Sequence, residues 1–226
     1  MLTPIAVLKK VPLFASLSEA NLQHLASLLR WKSLEKGDVL FRQGDEGTTL
    51  YVIMQGRIRI SISRRMEKMT LAILGQGEFL GEMALLDGQP RSADASALED
   101  SHLYALNRQD FLSFLVNNEN AVRAILFSLS MRLRKTDDLL AEICFLSLSA
   151  RLAKKVVELA EAQYPGEKNP PDCTLKISQK ELGDILGVSR ESINKELKIL
   201  RDKGILTTSR NFIHINDLES LKKRMP

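Results

Sequence analysis

Residues 178–197 read Ser178-Gln179-Lys180-Glu181-Leu182-Gly183-Asp184-Ile185-Leu186-Gly187-Val188-Ser189-Arg190-Glu191-Ser192-Ile193-Asn194-Lys195-Glu196-Leu197. Ser178 and Glu181 have the spacing of a capping box, in which the hydroxyl and the carboxylate each satisfy a backbone N–H that a helix start leaves open. Gly187 follows where such a helix should stop, because a residue without Cβ closes a helix in the left-handed conformation. Ser189 is then the N-cap of a second helix. Leu182, Ile185, Leu186, Val188, Ile193 and Leu197 are spaced to pack the two helices across the turn. This is the layout of a helix-turn-helix.

In that motif the start of the second helix enters the major groove. Arg190, Glu191, Asn194 and Lys195 share one exposed face of it. Arginine can bond guanine through two N–H groups, and glutamate can accept from cytosine N4. A carboxylate is unfavourable beside phosphates, so Glu191 makes most sense as a base reader. Ser178, Gln179 and Ser189, near helix starts, are candidates for phosphate contacts that fix register. Residues 204–215, Gly204-Ile205-Leu206-Thr207-Thr208-Ser209-Arg210-Asn211-Phe212-Ile213-His214-Ile215, read as a hairpin, which makes the domain winged. The alternative is a helical hairpin used only for packing or for protein contact. Charge favours DNA: residues 1–147 carry 17 Lys+Arg against 17 Asp+Glu, residues 148–226 carry 15 against 11, and the whole formal +4 sits behind residue 147.

Moving toward the N-terminus, a helix is expected from near Ser149 to about Ala162, followed by a break over Tyr164–Asp172. Helical spacing dominates from Asn118 to Leu146. Leu126, Leu129, Leu133, Leu140 and Ile143 alternate in steps of three and four, with Thr136 in the one slot that is not apolar. That is a heptad seam of about three repeats, the mark of two helices pairing along a dimer axis. The alternative is one amphipathic helix lying on its own domain, and Thr136 also reads as a register-setting polar residue in the seam. From Trp31 to about Leu106 the hydrophobic period is two, with short strands such as Leu50–Met54 and Ile58–Ile62 punctuated by glycine turns. Those strands describe an antiparallel barrel or sandwich. A helix over Leu17–Ala26, capped by Ser18, precedes them. The expected division is a sensor domain over 1–117, a dimerisation helix over 118–147 and a winged helix-turn-helix domain over 148–226.

Inside the barrel lies Phe79-Leu80-Gly81-Glu82-Met83-Ala84-Leu85-Leu86-Asp87-Gly88-Gln89-Pro90-Arg91-Ser92-Ala93. Gly81 permits close backbone approach to a ligand. Met83-Ala84-Leu85 can turn into a short helix with free N–H groups facing an anion. Arg91 brings a permanent positive charge suited to a phosphodiester, and Ser92 adds a hydroxyl. The bland alternative is a surface ion pair between Arg91 and Glu82.

This segment resembles the phosphate-binding cassette of the cyclic AMP receptor protein family, the Crp–Fnr transcription regulators. Matching features extend over nearly the whole chain: Gly37-Asp38 with Leu40, Gly44-Asp45, Tyr51-Val52-Ile53 followed by Gly56, the cassette, the long helix and Ser189-Arg190-Glu191. The resemblance implies an α+β protein with a jelly-roll-like antiparallel barrel, a homodimer on a palindromic operator, cAMP as effector and RNA polymerase as a partner. It implies that Gly81, Glu82, Met83, Ala84, Arg91 and Ser92 hold the nucleotide, Glu82 accepting from a ribose hydroxyl, with Thr136 at the base. Asp137 and Lys195 depart from the family, which commonly has a hydroxyl residue and an arginine at those places. Asp137 leaves base identity open, and Lys195 cannot form a bidentate fork.

Other classes fit less well. Hydrophobic residues make up 44% and charged residues 27%, as in ordinary globular proteins. No apolar run approaches the ~18 residues that span a bilayer, and the first residues lack a signal-peptide pattern, so a cytoplasmic protein is expected. Cys144 and Cys173 cannot form a disulfide framework or an iron–sulfur site, and His24, His102 and His214 have no metal-ligand spacing. No nucleophile–base pair or paired carboxylates suggest an enzyme. Cyclic di-GMP, cGMP or no effector at all remain alternatives, as does a nucleotide-binding scaffold that docks on protein.

Overall fold

A computed structural model describes residues 8–9, 11, 14–15, 17–64, 67–166 and 173–225. Contacts divide the chain into two compact units. One runs to Ile62 and resumes over Leu71–Leu133; the other comprises Ser63–Thr70 and Arg134 onward.

The first unit begins with helix α1 (Glu19–Leu28), where Ser18 Oγ accepts from the Asn21 N–H. Alternating side chains then form two four-stranded sheets. One has the order β1 (Arg30–Leu34), β8 (Ser101–Asn107), β3 (Thr49–Gln55) and β6 (Phe79–Leu80). The other has the order β2 (Val39–Phe41), β7 (Asp94–Ala97), β4 (Ile58–Arg64) and β5 (Glu67–Leu74). The strand registers described are all antiparallel. Ile53, Ile58, Leu80, Ala95 and Leu103 form the barrel's core, and a second cluster packs Leu50, Val52 and Leu106 against helical residues Leu22, Phe111, Ala121 and Ile125. The short α2 (Glu82–Asp87) interrupts the sheets after β6. Helix α3 (Arg108–Val116) is capped by Asn107, which the sequence reading did not single out.

Helix α4 (Glu119–Phe145) has 27 residues, about 40 Å at 1.5 Å per residue. Its first turns are buried on the sensor unit through Ala121 and Ile125. Of the expected seam, Leu129 is partly buried against the same cluster, whereas Leu126, Leu133, Leu140 and Ile143 are 59, 62, 59 and 42% exposed. The apolar strip is also wider than the heptad reading implies, because Phe127 beside it is exposed too.

In the second unit, α5 (Leu148–Gln163) starts one residue before the expected position, with Ser147 as its N-cap. Of the expected break at 164–172, residues 167–172 lie outside the described ones; Tyr164–Gly166 form a bend and turn. Helix α6 (Gln179–Leu186) has the expected bounds and cap, and α7 (Arg190–Asp202) starts behind the expected cap, Ser189. The hairpin of β10 (Leu206–Ser209) and β11 (Phe212–Ile215) gains a third strand, β9 (Thr174–Leu175), giving the order β10-β11-β9. A final helix α8 (Leu218–Lys222) follows. Neither β9 nor α8 was expected, since two and five residues are too short to display a period.

Leu182, Leu186, Ile193, Leu197 and Leu200 meet Leu152, Val156 and Val157 of α5 in one core. Ile185 is half-buried, and Val188 packs partly buried against that core. Among the described residues no helix is long and apolar enough to cross a membrane. Leu182 is fully buried, so Leu182→Ala is expected to lower stability by about 2–5 kcal/mol. A lower denaturant midpoint at unchanged slope, followed by far-UV circular dichroism, checks this.

Candidate functional site

The cassette folds into a cradle whose centre is Arg91. Strand β6 ends at Leu80, and Gly81 turns the chain with φ +86° as the N-cap of α2. A Cβ on Gly81 would lie 2.5 Å from Arg91 Nη1 and 3.0 Å from the Thr49 carbonyl, so both dihedral angle and space require glycine here. The Arg91 backbone is clamped by the loop before β3: the Gly44 N–H donates to Arg91 O at 2.9 Å, and the Arg91 N–H donates to Asp45 O at 2.8 Å. Its guanidinium donates through Nη1 to Gly81 O and through Nη2 to Thr49 O, both at 2.7 Å, and lies 4.3 Å from the centroid of the Phe41 ring. Arg91 is 5% exposed, and its buried Nε has no hydrogen-bond partner. Burial lowers its pKa from the ordinary arginine value, with Tyr51, Glu82 and Asp45 acting in the opposite direction.

Glu82 does not pair with Arg91, which corrects the surface ion-pair alternative. Its partner is Arg132 of α4, whose Nη1 lies 2.6 Å from Glu82 Oε1, while Nη2 donates to the Phe79 carbonyl. Glu82 is only 1% exposed, and its second oxygen, Oε2, is buried without a partner. Arg132 is the functional residue that sequence analysis leaves out. No local pattern could have linked it to a residue fifty positions away.

Gly81, Glu82, Met83, Ala84, Arg91, Ser92 and Arg132 together line a cavity of about 70 Å³, with Phe41, Leu74 and Leu80 among its apolar walls. Ser92 is exposed, its hydroxyl directed to the Met83 sulfur at 3.6 Å. Met83 is itself 45% exposed. Thr136 and Asp137 are exposed on α4 and belong to the second unit. His102 stacks on Trp31 at 5.1 Å and lies 3.2 Å from Ser33 Oγ through Nδ1. No cluster of metal-binding residues occurs among the described residues.

The helix-turn-helix brings the other predicted residues together. Ser178 Oγ accepts from the Glu181 N–H at 3.1 Å, and Glu181 Oε2 accepts from the Ser178 N–H at 2.8 Å, completing the capping box. Gly187 has φ +66° and closes α6. Ser189 Oγ accepts from the Ser192 N–H at 3.2 Å, starting α7. Arg190, Glu191, Asn194 and Lys195 are exposed on one face, while Ile193 and Leu197 behind them are buried. Arg190 Nη2 lies 3.4 Å from Gln179 Oε1, so a side chain at the start of one helix helps hold the other's arginine. Arg151 of α5, which the sequence reading passed over, donates to the Leu186 carbonyl at the end of α6.

Removing Arg132 leaves the Glu82 carboxylate buried without its counter-charge. Arg132→Met is expected to cost about 1–3 kcal/mol, below the usual figure for a fully buried pair because the arginine is one-third exposed. Glu82→Gln in the same background should recover part of that loss in thermal or urea unfolding.

Two family models match the chain: the cyclic nucleotide-binding domain over residues 31–118 and the Crp-like helix-turn-helix domain over residues 150–224. A cyclic AMP receptor protein from Thermus thermophilus is 30% identical over 217 residues, covering 96% of this chain and 97% of that one. Among solved structures, a transcriptional regulator of the crp/fnr family from Eubacterium rectale superposes with a TM-score of 0.82 at 20% identity, covering 96% of this chain and 98% of the other. A c-di-GMP responsive global regulator from Xanthomonas campestris superposes at 0.78 and 22% identity, over 88% of this chain and 99% of its own. At those identities the two structures attest the fold. With both halves matched in order and a relative aligned along nearly its full length, the chain belongs to the Crp–Fnr family of DNA-binding transcription regulators.

Proposed function

We propose that this regulator works as a homodimer whose affinity for a palindromic operator is set by cAMP bound in each sensor unit. The observation that carries the reading is a complementary pair of unsatisfied groups on one cavity. Arg91 Nε–H is a buried donor and Glu82 Oε2 a buried acceptor, both without protein partners. Such groups cost free energy unless a ligand satisfies them. A cyclic nucleotide has an anionic phosphodiester for the first and a ribose hydroxyl for the second. Gly81, Met83, Ala84 and Ser92 would frame the phosphate, and Thr136 and Asp137 would meet the base. The Thermus thermophilus relative, named for cyclic AMP, supports this choice of effector.

In the same reading, residues 1–117 are the sensor, 118–147 the dimerisation helix and 148–226 the DNA-binding domain. The exposed apolar side chains of α4 would pair about the two-fold axis. Ser178, Gln179 and Ser189 would hold phosphates, and Arg190, Glu191, Asn194 and Lys195 would face the bases. Two recognition helices in a two-fold dimer call for half-sites about one helical turn apart. RNA polymerase is the expected partner of the DNA-bound dimer. Ligand and operator affinities are then reciprocally linked.

Fluorescence anisotropy on a labelled operator pool, with cAMP, cGMP, cyclic di-GMP or no nucleotide, tests the effector. cAMP is expected to tighten binding, with a steep negative salt slope. Equal affinity under all four conditions removes the effector from the mechanism, and a response to cyclic di-GMP alone reassigns it. Arg91→Gln is expected to weaken nucleotide binding by about tenfold or more, a loss of ~1.4 kcal/mol or greater, in calorimetry. Arg190→Ala should cost about 1–3 kcal/mol and relax preference at one base position. Uniform weakening on all sequences would instead mark Arg190 as a phosphate contact.

A further inference from the structure

We infer that Arg132 has a second acidic partner, the partner subunit's Asp137, so that the cradle's buried acid and the opposing helix share one guanidinium. This rests on the homodimer proposed above and adds a residue contributed to each sensor by the other subunit, one Asp137 oxygen meeting Arg132 and the other left for an exocyclic amine of the base.

The heptad carries the geometry. Leu126, Leu133 and Leu140 occupy a positions, and Leu129, Thr136 and Ile143 occupy d. Position g is then Ile125, Arg132 and Leu139, and position e is Ser130, Asp137 and Cys144. The operator heads follow the same end of each α4, so adjacent half-sites require the two helices to run parallel. In a parallel pair, each g residue faces the e residue five places further along the other helix, where opposite charges set pairing and register. The three pairs over α4 are Ile125 with Ser130, Arg132 with Asp137 and Leu139 with Cys144. Only the middle one is charged, its charges are opposite, and the two-fold axis makes it twice.

The protomer leaves both groups in reach. Ile125 at the first g position is buried on the sensor unit, so the g side of α4 faces that unit, and Arg132 one heptad on bonds Glu82. A third of the Arg132 side chain is still exposed, and guanidinium can serve two carboxylates at once. Asp137 is exposed and takes no hydrogen bond or ion pair within the protomer among the described residues. Its basic neighbour on the same helix, Arg134, stands at i−3, the weaker order for a helical ion pair. Asp138, one residue on, falls at f, away from the seam and within the field of Lys154, and serves as the control for removing a charge from the same helix.

The consequence is a direct electrostatic path between ligand and dimer axis. A hydroxyl that engages Glu82 alters that carboxylate's hold on Arg132, and the same guanidinium then shifts its weight toward the opposing helix.

Subunit-exchange fluorescence or sedimentation, without nucleotide or DNA, measures the dimer dissociation constant. Asp137→Asn is expected to raise it about threefold to fivefold near physiological salt, an effect that fades in about 1 M salt. Asp138→Asn should change it less than about twofold, and Asp137→Glu should restore most of the affinity. In an Arg132→Met background the Asp137→Asn effect should vanish. The Asp variants and the salt series leave Arg132 in place, so they do not depend on that background folding. Equal effects of Asp137→Asn and Asp138→Asn, or an Asp137 effect that persists without Arg132, overturns the inference. A chain monomeric at all concentrations overturns the homodimer itself, whereas loss of cAMP control with an intact charge effect overturns only the effector.

Discussion

A guanidinium buried without a carboxylate hydrogen-bonded to it is the constraint around which the sensor unit is built. Taking an ion out of water costs on the order of several kcal/mol after relaxation. Arg91 offsets part of this with two carbonyl oxygens and the face of Phe41. Those carbonyls belong to Gly81 and Thr49, on either side of the β3–β6 pairing, so the cation ties the cassette to the strand beside it. Gly81 follows from the same requirement, since any Cβ would displace the charge it helps to hold. What remains unsatisfied is one N–H, that of Arg91 Nε.

Glu82 is the complementary case. Its buried carboxylate has a cation, but that cation comes from α4, so the acid of the cassette is also an anchor for the long helix. Strand β6, which begins at Phe79, the cassette and the helix therefore share one small polar network in an otherwise apolar setting. Low local dielectric makes such a network sensitive to a single added hydrogen bond. In the second unit, the capping box at Ser178, the N-cap at Ser189 and a continuous core behind α7 hold the exposed face that carries Arg190.

What sequence alone determined was whatever depends on neighbours within a turn or a strand pair. The capping box at Ser178 and Glu181, the αL turn at Gly187, the cap at Ser189 and the span of α4 are all local, and each was legible in the sequence. The period of two across the barrel and the residue types of the cassette were legible for the same reason. Tertiary structure alone decided which charges meet. It gave Glu82 to Arg132, fifty residues distant, sent the Arg91 donors to two carbonyls, and brought Arg151 to the end of α6. It also supplied β9 and α8, elements too short to carry a period of their own. Propensity and capping act over a few residues along the chain, whereas the partner of a buried charge is settled by packing across the fold.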